Sequence, residues 1–232
     1  MLDKYIFKVI GCLFAVIKCI IFDFDQTLVD TLNRFYKVFI NTLKLFGLDN
    51  ISWDDFIRDY AEDKLDKYIP SDLREKFWEI FLEKYSEFIG EVKPIEGAEY
   101  CLKYLKKKGL TVVVTTGRRA PLSEILFELV KVNFIHYVDY VFTAKNTNFR
   151  DHVSNKVYLL EKVLDELLLN ISESLFVADY RADVIAAKKI GLQVIAVKTG
   201  LEDAYLLKKL GAFTVISTVK ELPYILEASK LI

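Results

Sequence analysis

The 232-residue chain has little of what several large protein classes require. Its three cysteines, Cys12, Cys19 and Cys101, are odd in number and lack metal-type spacing, which argues against a disulfide framework and suits reduced packing thiols in a cytoplasmic protein. Only two histidines occur, His136 and His152. Neither has a ligand-like partner at metal spacing, so no zinc set is present and both read as surface or structural residues. Net charge is also missing: 32 basic and 33 acidic residues leave −1, which removes any bulk attraction to nucleic acid or to an acidic membrane surface. No long apolar run exists either. In the N-terminal stretch Lys8 and Lys18 confine the uncharged segment to Val9–Ile17, far short of the roughly 20 residues of a membrane helix. No A-x-A cleavage site follows it, so residues 1–17 read as an extra strand, a short helix or a start packed on the core. A single methionine and few glutamines, beside abundant Lys, Ile, Tyr and Glu, are a composition of thermophilic type.

What is present is apolar mass and a change of rhythm along the chain. With 53% hydrophobic residues the chain can bury a large core, enough for one domain with an insertion or for two domains. Ile20, Ile21 and Phe22 form the short apolar run expected of a strand covered on both faces. From Leu32 to about Glu91 the apolar spacing is helical: "RFYKVFINTLKLFG" closes on Gly47, Ser52 and Asp55 form a capping pair, and Ser71 is placed to cap a further helix that ends before Gly90. After Pro94 helices and strands alternate to the C-terminus. The pattern predicts an α/β fold, a doubly wound parallel sheet formed by residues 1–31 and 94–232, with a small all-α unit, 32–93, inserted after the first strand. No repeat or low-complexity tract interrupts it.

In open parallel sheets ligands bind beyond the carboxyl ends of the strands. The first strand ends in Asp23, Phe24 and Asp25, and alternation sends both carboxylates to one side, where like charges are costly unless a cation or chemistry offsets them. A later strand, "LTVVV", ends in Thr115, Thr116 and Gly117, followed by Arg118 and Arg119. Its hydroxyls and backbone amides suit phosphate oxygens. The strand "SLFVA" ends in Asp179, with Asp183 four residues on, on the same helix face. Lys156 sits near a helix start at Ser154. Oxygen ligands from Asp23, Asp179 and the Phe24 carbonyl suit Mg²⁺ rather than zinc. Asp23 is placed to attack phosphorus and Asp25 to protonate a leaving alcohol and then take a proton from water.

"DFDQT" at Asp23–Thr27, "VVVTTG" ending at Gly117, the isolated Lys156 and "VADYRAD" ending at Asp183 resemble, in order, the four motifs of the haloacid dehalogenase superfamily. The resemblance spans the chain from Lys18 onward. It implies Asp23 as nucleophile, Asp25 as acid/base, Thr115 holding the phosphoryl group and Lys156 balancing charge. The metal set becomes Asp23, Phe24, Asp25, Asp179 and Asp183, with Thr116, Gly117 and Arg118 on the phosphate or substrate. The helical insert resembles the small cap of phosphoglycolate-phosphatase-like members. Gln26 stands where many members have glycine, Ala178 replaces the usual glycine before the aspartate, and Lys156 lacks the common "KPxP" context, which makes Lys145 its alternative. Because Asp25 is present, the dehalogenase reaction itself is not expected.

The function expected from these residues is a Mg²⁺-dependent phosphatase of small phosphorylated metabolites, with phosphoglycolate as the nearest analogy. A phosphoglucomutase-type phosphotransferase and a catalytically silent binding module are the alternatives. Within the insert, Arg34, Arg58, Lys64 and Lys67 read as a charged helix face that could also meet an anionic substrate, and Trp53 and Trp78 as core of the insert.

Overall fold

A computed structural model describes residues 16–145, 147 and 151–232. Cys12 and most of the N-terminal segment lie outside the described residues. In chain order the elements begin with β1 (Cys19–Asp23), β2 (Val29–Asp30), α1 (Leu32–Leu45), α2 (Trp53–Ala61), α3 (Arg74–Glu87) and β3 (Lys93–Pro94). They continue with α4 (Ala98–Lys107), β4 (Thr111–Thr116), α5 (Leu122–Lys131), β5 (Tyr140–Thr143), α6 (His152–Glu166) and β6 (Ser174–Ala178). The chain closes with α7 (Arg181–Ile190), β7 (Gln193–Val197), α8 (Ala204–Leu210), β8 (Thr214–Ile216) and α9 (Leu222–Ala228).

Six strands form one parallel sheet in the order β5-β4-β1-β6-β7-β8. The doubly wound α/β architecture expected from the alternating pattern is the one observed. β1 is central and buried along its whole length, as a strand covered on both faces must be. Alternation sorts its side chains: Ile20 and Phe22 enter a core with Val112, Val114 and Leu102, while Cys19 and Ile21 enter the opposite core with Val113, Phe176 and Leu160. Cys19 and Cys101 are buried free thiols, and burial pushes the Cys19 thiol up to about 12. Among the described residues no helix is long and apolar enough to cross a membrane.

The segment between β2 and β3 has a core of its own. Val38, Phe39, Leu43, Phe56, Phe77 and Phe81 cluster there, apart from the two cores of the sheet. β2 and β3 pair antiparallel, Val29 with Pro94 and Asp30 with Lys93, so the outgoing and returning chains are clasped together. Ser52 caps α2 as expected, accepting the Asp55 N–H at 3.1 Å. Ser71 does not cap α3. Residues 71–73 form a turn closed by the Leu73 N–H on the Pro70 carbonyl, and the helix starts at Arg74 without a side-chain cap. Trp78 packs on Phe39, Phe77 and Phe81, whereas Trp53 lies at the rim, 37% exposed, with its ring against Tyr36 and Phe56.

Phe77→Ala removes a fully buried ring from this small aromatic core and is expected to cost about 3–5 kcal/mol. Urea unfolding followed by fluorescence checks it, and a loss below ~1 kcal/mol would contradict this packing.

Candidate active site

β1, β4 and β6 lie side by side in register, Asp23 beside Thr115 and Phe22 beside Val177, so their carboxyl ends open at one edge. Beyond β1 the chain turns tightly, and Gln26 adopts a left-handed φ of 55°. That conformation costs a non-glycine residue roughly 1–2 kcal/mol. The Gln26 amide oxygen, in the orientation that satisfies both groups, accepts the N–H of Thr31 (2.7 Å) and Leu32 (3.0 Å). These bonds cap the start of α1 and offset the strain.

The turn and the flanking helices bring four buried charges together. Asp23, Asp179, Asp183 and Lys156 are each less than a tenth exposed, and an oxygen from each of the three aspartates lies within 4.8 Å of the others. Lys156 Nζ donates to Asp23 Oδ1 at 2.6 Å and lies 3.0 Å from Asp183 Oδ1. It projects from α6, which is capped by Asp151 accepting the Ser154 N–H at 2.8 Å. The Thr27 hydroxyl donates to Asp179 Oδ1 at 2.9 Å. Lys145, just past β5, is exposed.

Burial, followed by the repulsion of Asp183 and Asp25, lifts Asp23 from the ordinary 3.8 to about 7 despite Lys156. Burial and the charges of Asp23 and Asp183 raise Asp179 well above its ordinary value. Burial opposes the charge on Lys156, but Asp183 and Asp23 outweigh it and keep the ammonium protonated. Three crowded carboxylates offer hard oxygen ligands and a repulsion that a divalent cation would relieve, so these residues fit such an ion.

Two members of the expected ligand set stand elsewhere. The Phe24 carbonyl oxygen accepts the N–H groups of Leu28 (3.0 Å) and Val29 (3.1 Å), which engages both its lone pairs and removes it from the set. The Asp25 carboxylate is not part of the three-aspartate cluster. Arg118 grips it through Nε to Oδ2 (2.8 Å) and Nη2 to Oδ1 (2.5 Å), and Thr31 and Thr116 donate to it at 3.0 and 3.2 Å. Burial works to raise the Asp25 carboxyl, but Arg118 and Thr31 more than compensate and hold it below the ordinary range. The Thr115 hydroxyl donates to the Phe22 carbonyl at 3.1 Å. Gly117 and Arg119 are exposed.

The insert borders this site. Tyr60 of α2 is raised well above its ordinary value by burial and then by Asp179 and other groups including Asp25, and burial followed by Asp25 raises Tyr85 of α3. Arg34 is neither a solvated helix-face charge nor a surface contact. It is 1% exposed, paired with the fully buried Glu128 of α5 at 2.5 Å, and donates to the Tyr85 carbonyl. Arg58 and Lys67 instead pair with Asp59 of the insert, and Lys64 with Glu62. On the other side Arg181 joins Glu202 (2.5 Å) to the Ala61 carbonyl (3.3 Å).

Sequence reasoning gave no role to Thr27, Tyr60, Glu128, Gly200 or Glu202. Gly200 follows the end of β7, and a Cβ there would fall 2.0 Å from Asp179 Oδ2. A glycine closing the "VKTG" strand end beside β6 was the available signal.

The chain belongs to the haloacid dehalogenase-like hydrolase family, whose model matches residues 20–197. It is 28% identical over 178 residues to phosphoglycolate phosphatase of Aquifex aeolicus, covering 75% of this chain and 81% of that protein. It is 26% identical over 199 residues to pyrophosphatase PpaX of Bacillus cereus, covering 82% and 88%. A haloacid dehalogenase-like hydrolase from Streptococcus pneumoniae shares the fold, with a TM-score of 0.77 at 18% identity over 90% of this chain and 98% of that one.

Two expectations follow. Gly200→Ala pushes the Asp179 carboxylate aside and is expected to weaken divalent-cation binding by roughly 10–100-fold, as read by calorimetric titration; unchanged affinity would contradict the contact. The folded metal-free protein holds the Asp23 and Asp179 protons more tightly than the unfolded chain does. For Asp23 that stabilising contribution is therefore full below 3.8 and lost as the pH rises through about 7, and Asp179 adds a contribution of the same sign. A divalent ion competes with those protons, so the rise in Tm that such an ion produces is expected to be larger at about pH 8 than at about pH 5.

Proposed function

We propose that this hydrolase is a Mg²⁺-dependent phosphatase of small cytoplasmic phosphomonoesters and works through phospho-Asp23. The observation that carries the reading is the buried Asp23 carboxylate, joined to the Lys156 ammonium at 2.6 Å inside a cluster of three aspartates. An Asp23 oxygen attacks phosphorus in line with the departing alcohol, Asp25, which takes up a proton from solvent once it leaves Arg118, gives that proton to the alcohol, and the covalent phosphate stays on Asp23. Asp25 then takes a proton from the water that attacks phospho-Asp23, which releases inorganic phosphate and frees the nucleophile. Lys156 limits the repulsion between the carboxylate and the incoming phosphoryl oxygens, and the amides near Thr116 and Gly117 hold those oxygens, the Thr115 hydroxyl being engaged by the Phe22 carbonyl. Asp23, Asp179 and Asp183 would hold Mg²⁺, which when bound supplies neutralisation of the negative charge gathered there.

Residues 32–93 act as a cap in this proposal, and 1–31 with 94–232 as the catalytic core. The cap's own aromatic core lets it move as a unit, and Tyr60 and Tyr85 exclude water from the carboxylates. Phosphoglycolate is the first substrate to try and pyrophosphate the second, following the names of the two relatives.

The test is phosphate release from a panel of phosphorylated metabolites and an aryl phosphate, with and without Mg²⁺, for the wild type and Asp23→Asn. Metal-dependent release that falls by roughly 10⁴-fold or more in the variant is expected, in keeping with loss of a covalent nucleophile. Release that survives the substitution would exclude Asp23 as the nucleophile. Turnover of a sugar phosphate without free phosphate would favour phosphotransfer.

A further inference from the structure

Arg118 is anchored from behind. Its Nη1 donates to both oxygens of Glu128 at 2.9 Å, and its guanidinium carbon lies 5.4 Å from the ring centroids of Phe24 and Tyr85. Glu128 is fully buried and shared with Arg34, whose side chain is equally hidden. Asp25, Arg118, Glu128 and Arg34 therefore form a chain of alternating sign, two anions and two cations, that runs from the mouth of the site to the insert. The forward edge of Arg118, Nε and Nη2, is the part that meets Asp25, and it takes both of that carboxylate's oxygens.

Both Asp25 oxygens are taken up by this fork, so a proton carried on either of them for a leaving-group oxygen competes with these bonds. When Asp25 turns away, two donors of an arginine side chain that is only 10% exposed lose their acceptor. Unpaired donors in such a place are unfavourable. Glu128 cannot supply the missing charge, because it is already divided between Arg118 and Arg34. An anion that arrives with the substrate can. The planar edge of a guanidinium matches two oxygens of a carboxylate or of a phosphate, and an ammonium does not offer that match.

We propose that Arg118 is a specificity-determining residue: in exchange for Asp25 it takes an oxyanion carried on the leaving-group side of the substrate, so that preferred substrates bear a second anionic group close to the phosphoryl group. This rests on the phosphatase reading above. It assigns the arginine to the leaving group rather than to the transferred phosphoryl, and it makes release of the acid/base conditional on the right substrate.

The experiment measures kcat/KM with Mg²⁺ for phosphoglycolate, which presents a carboxylate, pyrophosphate, which presents a second phosphate, and ethyl phosphate, which is neutral beyond the ester. The wild type is expected to favour at least one anionic substrate over ethyl phosphate by roughly 10–100-fold, and which one identifies the oxyanion. In Arg118→Lys and Arg118→Gln the ratio is expected to collapse toward one, mainly through KM for the anionic substrate. The ratio within each variant does not depend on how much of it is active. A wild-type ratio near one, or a preference that survives both substitutions, overturns the proposal; if neither variant folds, the wild-type ratio decides alone. Hydrolysis of ethyl phosphate without any preference removes only this proposal. Release from none of the three, under the same conditions, removes the phosphatase reading and this inference with it.

Discussion

Three aspartates less than a tenth exposed, with oxygens within 4.8 Å of one another, repel each other in a medium that screens charge poorly. Among the described residues a single ammonium, Lys156, stands between two of them. The site is thus one positive charge against three potential negative ones, and it can relieve the imbalance by holding protons or by holding a cation. Much of the fold is arranged around that cluster. The buried central strand delivers Asp23, the adjacent strand delivers Asp179, and α7 brings Asp183 in its first turn, where a helix N-terminus favours a negative side chain. Gly200 leaves the space that the Asp179 carboxylate fills.

The helical insert is tied to this site through charge as well as through packing. Arg34 leaves α1, inside the insert, and ends on Glu128, inside the sheet's flanking layer. Glu128 is shared with Arg118, and Arg118 grips Asp25. A buried ion pair of this kind adds little net stability, yet loss of one partner strands the other charge at a cost of about 3–5 kcal/mol. Such a chain links the insert to Arg118 and Asp25 through direct contacts. Arg181, between Asp179 and Asp183 in sequence, makes a second tie by reaching the Ala61 carbonyl.

The sheet and its site edge were legible because they depend on local pattern. Apolar runs ending in Asp23, Thr116 and Asp179 fix which side of the sheet these residues reach, and Lys156 falls on the helix that crosses between β5 and β6. What was not legible depends on long-range contact. Arg34 has the look of a charged helix-face residue, and its partner is 94 positions away. Glu128 lies on a helix whose apolar face predicts burial but not an ion pair. The Phe24 carbonyl was expected to face a metal, but the tight turn that follows uses it for two backbone bonds. Ser71 carries the right chemistry for a cap two residues too early, because the Pro70 turn intervenes. In each case residue type indicated an ability, and tertiary placement decided whether it was used.

The most direct measurement is chemical trapping of the covalent state. The protein is quenched in acid during turnover of its best phosphomonoester with Mg²⁺, reduced with borohydride, digested, and the peptide containing Asp23 analysed by mass spectrometry. An acyl phosphate is reduced to the alcohol, so homoserine at position 23, dependent on both substrate and metal, is the result expected. Homoserine at another aspartate, or none at any position under conditions of rapid phosphate release, would contradict phospho-Asp23 as the intermediate.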